Sequence, residues 1–262
     1  MLKTDLRTTA ILTLASIIGS LSVMPAIFAA RAHTAAAAAT PAWEVYATAI
    51  VQSVILFGIT AFLGLRAARG AGLPGAPLVG AWAGGPPAPP LARAFLLALL
   101  LGLLAGAAVF LVDLYGFHAG AATIAADTGA EGSTRATAAF WTNLAGGLLY
   151  GGINEEIMLR LFLVSALVYL GGFVFGRPGA ARPALVWTAI ILAAVIFGLL
   201  HLPITSTMTA ITPLIVARAI VLNAIVGLVA GGLYVRYGFE AAALSHAAAH
   251  IPIQLGVLLI AP

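Results

Sequence analysis

The chain contains no cysteine. Disulfides, iron–sulfur clusters and thiol nucleophiles are therefore excluded, and cysteine usage says nothing of redox compartment. Charge is almost as scarce, at 8% of 262 residues, where soluble globular domains carry about 25%. Short alternating apolar and polar segments, the mark of a membrane barrel strand, are also missing. What remains is 62% hydrophobic with a mean hydropathy of +1.11, more apolar side chain than the interior of a soluble domain can hold. In lipid only helices and closed barrels satisfy their own backbone polar groups, so an all-α, polytopic integral membrane bundle is expected. The pI of 9.9 does not point to nucleic acid, because the 12 Lys and Arg residues are scattered singly between apolar runs and form no patch.

Seven apolar runs are candidate spans, residues 9–30, 45–65, 92–112, 138–175, 184–201, 213–235 and 241–261. The fourth is too long for one perpendicular crossing. It is either a long tilted helix or one broken near Gly146, Gly147, Gly151 and Gly152, which gives seven or eight helices in all. The first run is longer than the apolar core of a signal peptide, so a retained helix is expected. With the N-terminus in the cytoplasm, one set of loops holds Lys3, Arg7, Arg66, Arg69, Arg93, Arg177, Arg182 and Arg236, and the other holds only Arg31 and Arg135. That asymmetry fits the positive-inside rule. Residues 70–90, dense in Gly and Pro, read as a flexible cytoplasmic linker. The linker divides an N-terminal part, residues 1–91, from a helix bundle over residues 92–262. Pairs such as Gly102/Gly106, Gly147/Gly151 and Gly227/Gly231 permit close helix approach and by themselves carry no chemistry.

Ionisable side chains in hydrocarbon cost about 2.5–3.5 kcal/mol each on insertion scales, so each one inside a span needs a partner or a purpose. They are Glu155, Glu156 and Arg160 in the fourth run, His201 at the end of the fifth, Arg218 in the sixth, and His246 and His250 in the seventh, with Asn154 and Asn223 adding amides. Glu156 and Arg160 stand four apart, on one helix face and within ion-pair reach. Glu155 then points about 100° away, without a local cation. His246 and His250 are also four apart, a spacing by which one helix presents two metal ligands or two hydrogen-bond donors. Arg218 is expected to snorkel or pair. His33 and His118 fall in loops.

Asn154-Glu155-Glu156-Ile157-Met158-Leu159-Arg160 has the form EExxxR. Phe197-Gly198-Leu199-Leu200-His201 has the form FxxxH, and His246-Ala247-Ala248-Ala249-His250 the form HxxxX, preceded by Gly231-Gly232-Leu233-Tyr234 and Gly238-Phe239-Glu240. Their order, spacing and placement on successive hydrophobic helices, over roughly residues 138–254, resemble the CPBP family of intramembrane proteases, which includes the type II CAAX prenyl endopeptidases and the bacterial Abi proteins. The resemblance implies a membrane-embedded peptidase acting on a peptide or protein substrate at the bilayer. It implies Glu155 as the carboxylate that activates water with His201, Glu156 and Arg160 as a supporting pair, and His246 as the group that meets the substrate carbonyl or a metal. The position of His250 is usually Asn or Asp in that family.

Two chemistries are open at this stage. With a divalent metal such as zinc, His201, His246, His250 or Glu155 would supply the ligands and leave one position for water. Without metal, Glu155 and His201 act as the base, and His246 and His250 as donors to the oxyanion. A proton-coupled transporter or channel, and a non-catalytic scaffold, are the alternative readings of intramembrane Glu, His and Arg. One expectation conflicts with a shared site. His201 closes its helix at one membrane face, whereas His246 begins near the other, a separation of about 15–20 Å at 1.5 Å per residue. Convergence requires the fifth helix to continue past His201, the seventh to start deep, or helices broken near Pro203 and Pro252.

Overall fold

The computed structural model describes residues 1–31, 40–117, 133–175, 182–206 and 209–260. His33, His118, Asp127, Glu131 and Arg177 lie outside the described residues. Every regular element among the described residues is a helix. In chain order they are α1 (Leu2–Ser22), α2 (Met24–Arg31), α3 (Ala42–Ala71), α4 (Pro77–Trp82), α5 (Ala92–Gly116), α6 (residues 133–174), α7 (Pro183–Leu200), α8 (Leu202–Thr205), α9 (Pro213–Tyr237) and α10 (Phe239–Ile260). Seven are long and apolar enough to cross a membrane, with α1 running on into α2 and α7 into α8. These are the seven runs expected from hydropathy, extended by a few residues. The fourth does not split: its glycines leave it continuous.

The helices are inside-out relative to those of a soluble protein. On α1 the buried stripe is Asp5, Thr8, Leu12, Ser16, Gly19 and Ser20, and Leu2, Leu6, Leu14 and Ile18 face outward. On α5 it is Ala94, Ala98, Gly102, Ala105, Gly106, Val109 and Asp113, and the leucines 96, 97, 99, 100, 104 and 111 are exposed. Lipid is as apolar as leucine, so burying leucine between helices gains little there. Small residues instead let backbones touch and collect dispersion energy. A Cβ on Gly102 would stand 2.2 Å from the Ser245 carbonyl oxygen, and one on Gly106 would stand 2.0 Å from that of Ala249. The α5–α10 contact is thus backbone against backbone, one residue before His246 and one before His250. The helix starts follow ordinary rules: Pro183 and Pro213 occupy first turns, and the Thr212 hydroxyl accepts from the Ile215 N–H at 3.3 Å.

Residues 70–90 are not a loose tether. After α3 ends on left-handed Gly72, the chain turns again at Gly75 (φ 65°) and forms α4, burying Ala71, Ala76, Val79 and Ala83. The Gly75 carbonyl accepts from the Phe239 N–H at 2.8 Å, and a Glu240 carboxylate oxygen accepts from the Val79 N–H at 2.8 Å. The Gly and Pro content here encodes tight turns keyed into the α9–α10 corner, not flexibility. Nor do the first two spans stand aside: Leu12, Phe57, Ala61 and Leu65 share one core with Ile157, Leu161 and Val164 of α6.

Two acids that hydropathy placed at helix ends are buried and paired. Asp5 takes Arg69, with Arg66 at 3.5 Å. Asp113 is held bidentately by Arg218, Nε to Oδ1 at 2.6 Å and Nη2 to Oδ2 at 2.7 Å, so Arg218 pairs and does not snorkel. Removing one member of such a pair strands the other, at a cost of about 3–5 kcal/mol. Arg218→Gln is therefore expected to lower the midpoint of thermal unfolding in detergent sharply. Adding Asp113→Asn to it should recover most of the loss; a double variant no more stable than the single one would show that the pair is not what holds α5 to α9.

Candidate active site

The site is built on an unusual stretch of α6. From Gly147 to Glu155 and again from Ile157 to Val164 the helix is π-wound, with i→i+5 in place of i→i+4 hydrogen bonding. π-turns usually occur as single bulges and often at functional sites; here two consecutive segments carry the whole EExxxR motif. The wider turn brings successive side chains closer in angle than the 100° of an α-helix. Glu155 and Glu156, expected on different faces, consequently both reach His246.

His246 is buried between them. Its Nδ1 lies 2.7 Å from Glu156 Oε1, and its Nε2 lies 3.7 Å from Glu155 Oε2. The same Glu156 oxygen accepts from Arg160 Nη1 at 2.6 Å. Glu156 and Arg160 are 0% and 1% exposed, so this pair lies behind the site and not in it. A carboxylate can only accept, which assigns the proton to His246 Nδ1 and leaves Nε2 for Glu155 and the cavity. Gly227 makes the room: a Cβ there would sit 3.2 Å from Arg160 Nη2.

Phe197, the first residue of the FxxxH motif, is the wedge that joins three helices. Its ring meets His201 edge-on at 4.9 Å and His246 at 5.6 Å, and Arg160 Cζ stands 5.2 Å from its centroid. His201 Nδ1–H donates to the Phe197 carbonyl at 2.9 Å, which turns the imidazole back along its own helix and leaves Nε2 as an acceptor. The apparent separation of His201 from His246 is resolved in this way. The helix runs one turn further, to Thr205, and the side chain points back toward Phe197. Pro252 lies inside a continuous α10 and does not break it.

His250 stacks on His246 at 5.3 Å with a 16° interplanar angle. It fits because α6 offers no side chain: a Cβ on Gly147 would be 2.2 Å from His250 Cγ, and one on Gly151 3.0 Å from Nε2. His250 Nδ1 is buried without a hydrogen-bond partner. Asn154, adjacent to the motif, is turned the other way; its Nδ2 donates to the Ser16 carbonyl and the Ser20 hydroxyl at 3.0 and 2.9 Å, tying α6 to α1.

Glu155, His201, His246 and His250 all line one cavity of about 300 Å³, together with Thr142, Asn143, Asn223 and Gln254. Glu155 and His201 also line a second cavity of about 510 Å³, whose other walls include Met24, Ile27, Phe57, Met158, Leu200 and Ile204. The candidate pair thus stands where a chamber carrying amides meets one whose walls are mainly apolar, with Ser20, Gln52 and Ser53 among them. Among the described residues no group of three or more His, Asp or Glu side chains has metal-ligand geometry. One nitrogen of His246 is committed to Glu156 and one of His201 to a carbonyl. Both rings keep Nε2 open, the orientation a metal-binding imidazole also takes, but the four side chains as they stand are not gathered into a ligand set. Phe197, quoted from the sequence only as part of the FxxxH motif, and Tyr150, which no motif contains, also line both cavities; an aromatic residue five positions before Glu155 is the sequence signal for Tyr150.

The two carboxylates are expected to separate on mutation. Arg160→Ala leaves Glu156 as an unpaired buried charge, a loss of about 3–5 kcal/mol, and should abolish folded yield or lower the unfolding midpoint far more than Glu155→Gln. Equal yield and equal thermal stability of the two variants would contradict the pair.

Comparison with curated proteins and with solved structures gives no match. Residues 137–251 match the family model described as type II CAAX prenyl endopeptidase Rce1-like. That stretch, a little under half of the chain, contains all three motifs and the residues gathered around His246, and over it the chain is similar to the type II CAAX prenyl endopeptidases.

Proposed function

We propose that the chain is an intramembrane endopeptidase in which Glu155 and His201 activate a water and His246 and His250 face the scissile carbonyl. The observation that carries this reading is that these four side chains, from three helices, line a single cavity. Glu155 Oε2 and His246 Nε2 are 3.7 Å apart, beyond direct hydrogen bonding but suited to a group held between them. In the proposed cycle a water donates to Glu155 and to the free Nε2 of His201. Glu155 takes its proton as the oxygen attacks the carbonyl carbon. The C–N bond then breaks, and Glu155 returns the proton to the departing amine. The Glu156–Arg160 pair holds His246 by Nδ1, so the ring does not turn as charge develops.

The apolar cavity supports a substrate with a greasy flank, consistent with a lipidated CAAX-like tail entering from the bilayer side. The amide-lined cavity would take the polar peptide beyond the bond. The basic loop set supports an orientation with the N-terminus in the cytoplasm.

Residues sharing one water lose activity together. Glu155→Ala is expected to reduce cleavage of a quenched peptide by purified protein by about 10³-fold or more, and Glu155→Ala with His246→Ala by hardly more than the single variant. Independent, multiplying losses, or cleavage surviving in Glu155→Gln and His201→Ala, would contradict the assignment.

A further inference from the structure

Five residues line both cavities: Val23, Tyr150, Glu155, Phe197 and His201. Three of them can exchange a hydrogen bond. Glu155 and His201 have roles in the proposed hydrolysis, and Tyr150 has none. We propose that Tyr150 is a further catalytic residue, whose phenol donates to the oxygen of the scissile carbonyl as it becomes an oxyanion. The inference rests on reading the site as hydrolytic and adds a residue that none of the three motifs contains.

Its placement follows from the winding of α6. In a π-helix, bonded i→i+5, residues five apart come nearer to one face than in an α-helix, and Tyr150 is five residues before Glu155 within the π-wound segment Gly147–Glu155. In an α-helix the same separation would turn the two apart by about 140°. Phe57 meets the ring from α3 with an edge-on contact at 6.3 Å and 87°, so the aromatic body is positioned by packing. No hydrogen bond holds the Tyr150 hydroxyl among the described residues, although it and the Glu155 carboxylate interact electrostatically. Near the junction Glu155 serves as acceptor and His201 has its Nδ1–H committed to Phe197, leaving the phenol as the neutral donor on that side. The need for such a donor is chemical. His250, at the position the family resemblance gives to an amide, is stacked on His246, and a phenol on α6 adds a donor to the same oxygen.

The test compares purified wild type, Tyr150→Phe and Glu155→Gln on the quenched peptide, with kcat and KM separated. Phe keeps the ring and its contact with Phe57, so a packing role predicts unchanged kinetics. Loss of one oxyanion donor predicts a kcat lower by about 10²–10³-fold, with KM changed little and the unfolding midpoint unmoved. Wild-type kcat in Tyr150→Phe, with Glu155→Gln inactive, overturns the assignment of Tyr150 and leaves the hydrolytic reading intact. Absence of cleavage by the wild type overturns both.

Discussion

Burying Glu156 and Arg160 in the middle of a membrane bundle is the constraint from which the rest of this structure follows. A carboxylate at 0% and a guanidinium at 1% exposure are tolerable only when each satisfies the other, and their coupling is stronger in a low dielectric than at a surface. The pair needs space, which Gly227 supplies, and an aromatic face, which Phe197 supplies. The Glu156 oxygen that accepts from Arg160 also accepts from His246, and Oε2 is buried without a partner. The pair is thus a fixed electrostatic platform, and the imidazole it holds is the hinge between scaffold and cavity.

The π-winding of α6 is the second element of this arrangement. An α-helical EExxxR segment would direct its two glutamates to different neighbours; the wider turn lets both address one histidine, and Tyr150 and Glu155 line the same two cavities. Glycines 147 and 151 then have a second use beyond close packing, because their missing side chains form the recess that His250 fills. In this fold the small residues that let helices approach and the polar residues proposed to do the chemistry are the same design seen from two sides.

Much of this was legible in the sequence, for reasons particular to membranes. Hydropathy located seven spans because lipid forbids anything but long apolar helices, and the cost of intramembrane charge drew attention to Glu155, Glu156, Arg160, His201, His246 and His250. The ion pair at positions 156 and 160 followed from helical spacing alone. What spacing could not convey was winding: the angle between Glu155 and Glu156 depends on a π-turn with no simple sequence signature. Depth is hidden because His201 folds back on its own helix, and Asp5 and Asp113 fall just outside the apolar runs while their partners Arg69 and Arg218 lie 64 and 105 residues away. Gly and Pro in residues 70–90 suggested flexibility, since turns and tethers share a composition.

His246 is held through Nδ1 by the Glu156–Arg160 pair, with Nε2 turned to Glu155 and the cavity. The most direct measurement is the 15N spectrum of histidine-labelled protein, with the His246 ring assigned. The expected result is an Nδ1 that carries a proton in a strong hydrogen bond, and an Nε2 resonance that moves in Glu155→Gln while Nδ1 does not. A His246 ring protonated only on Nε2, or indifferent to Glu155, would contradict the arrangement.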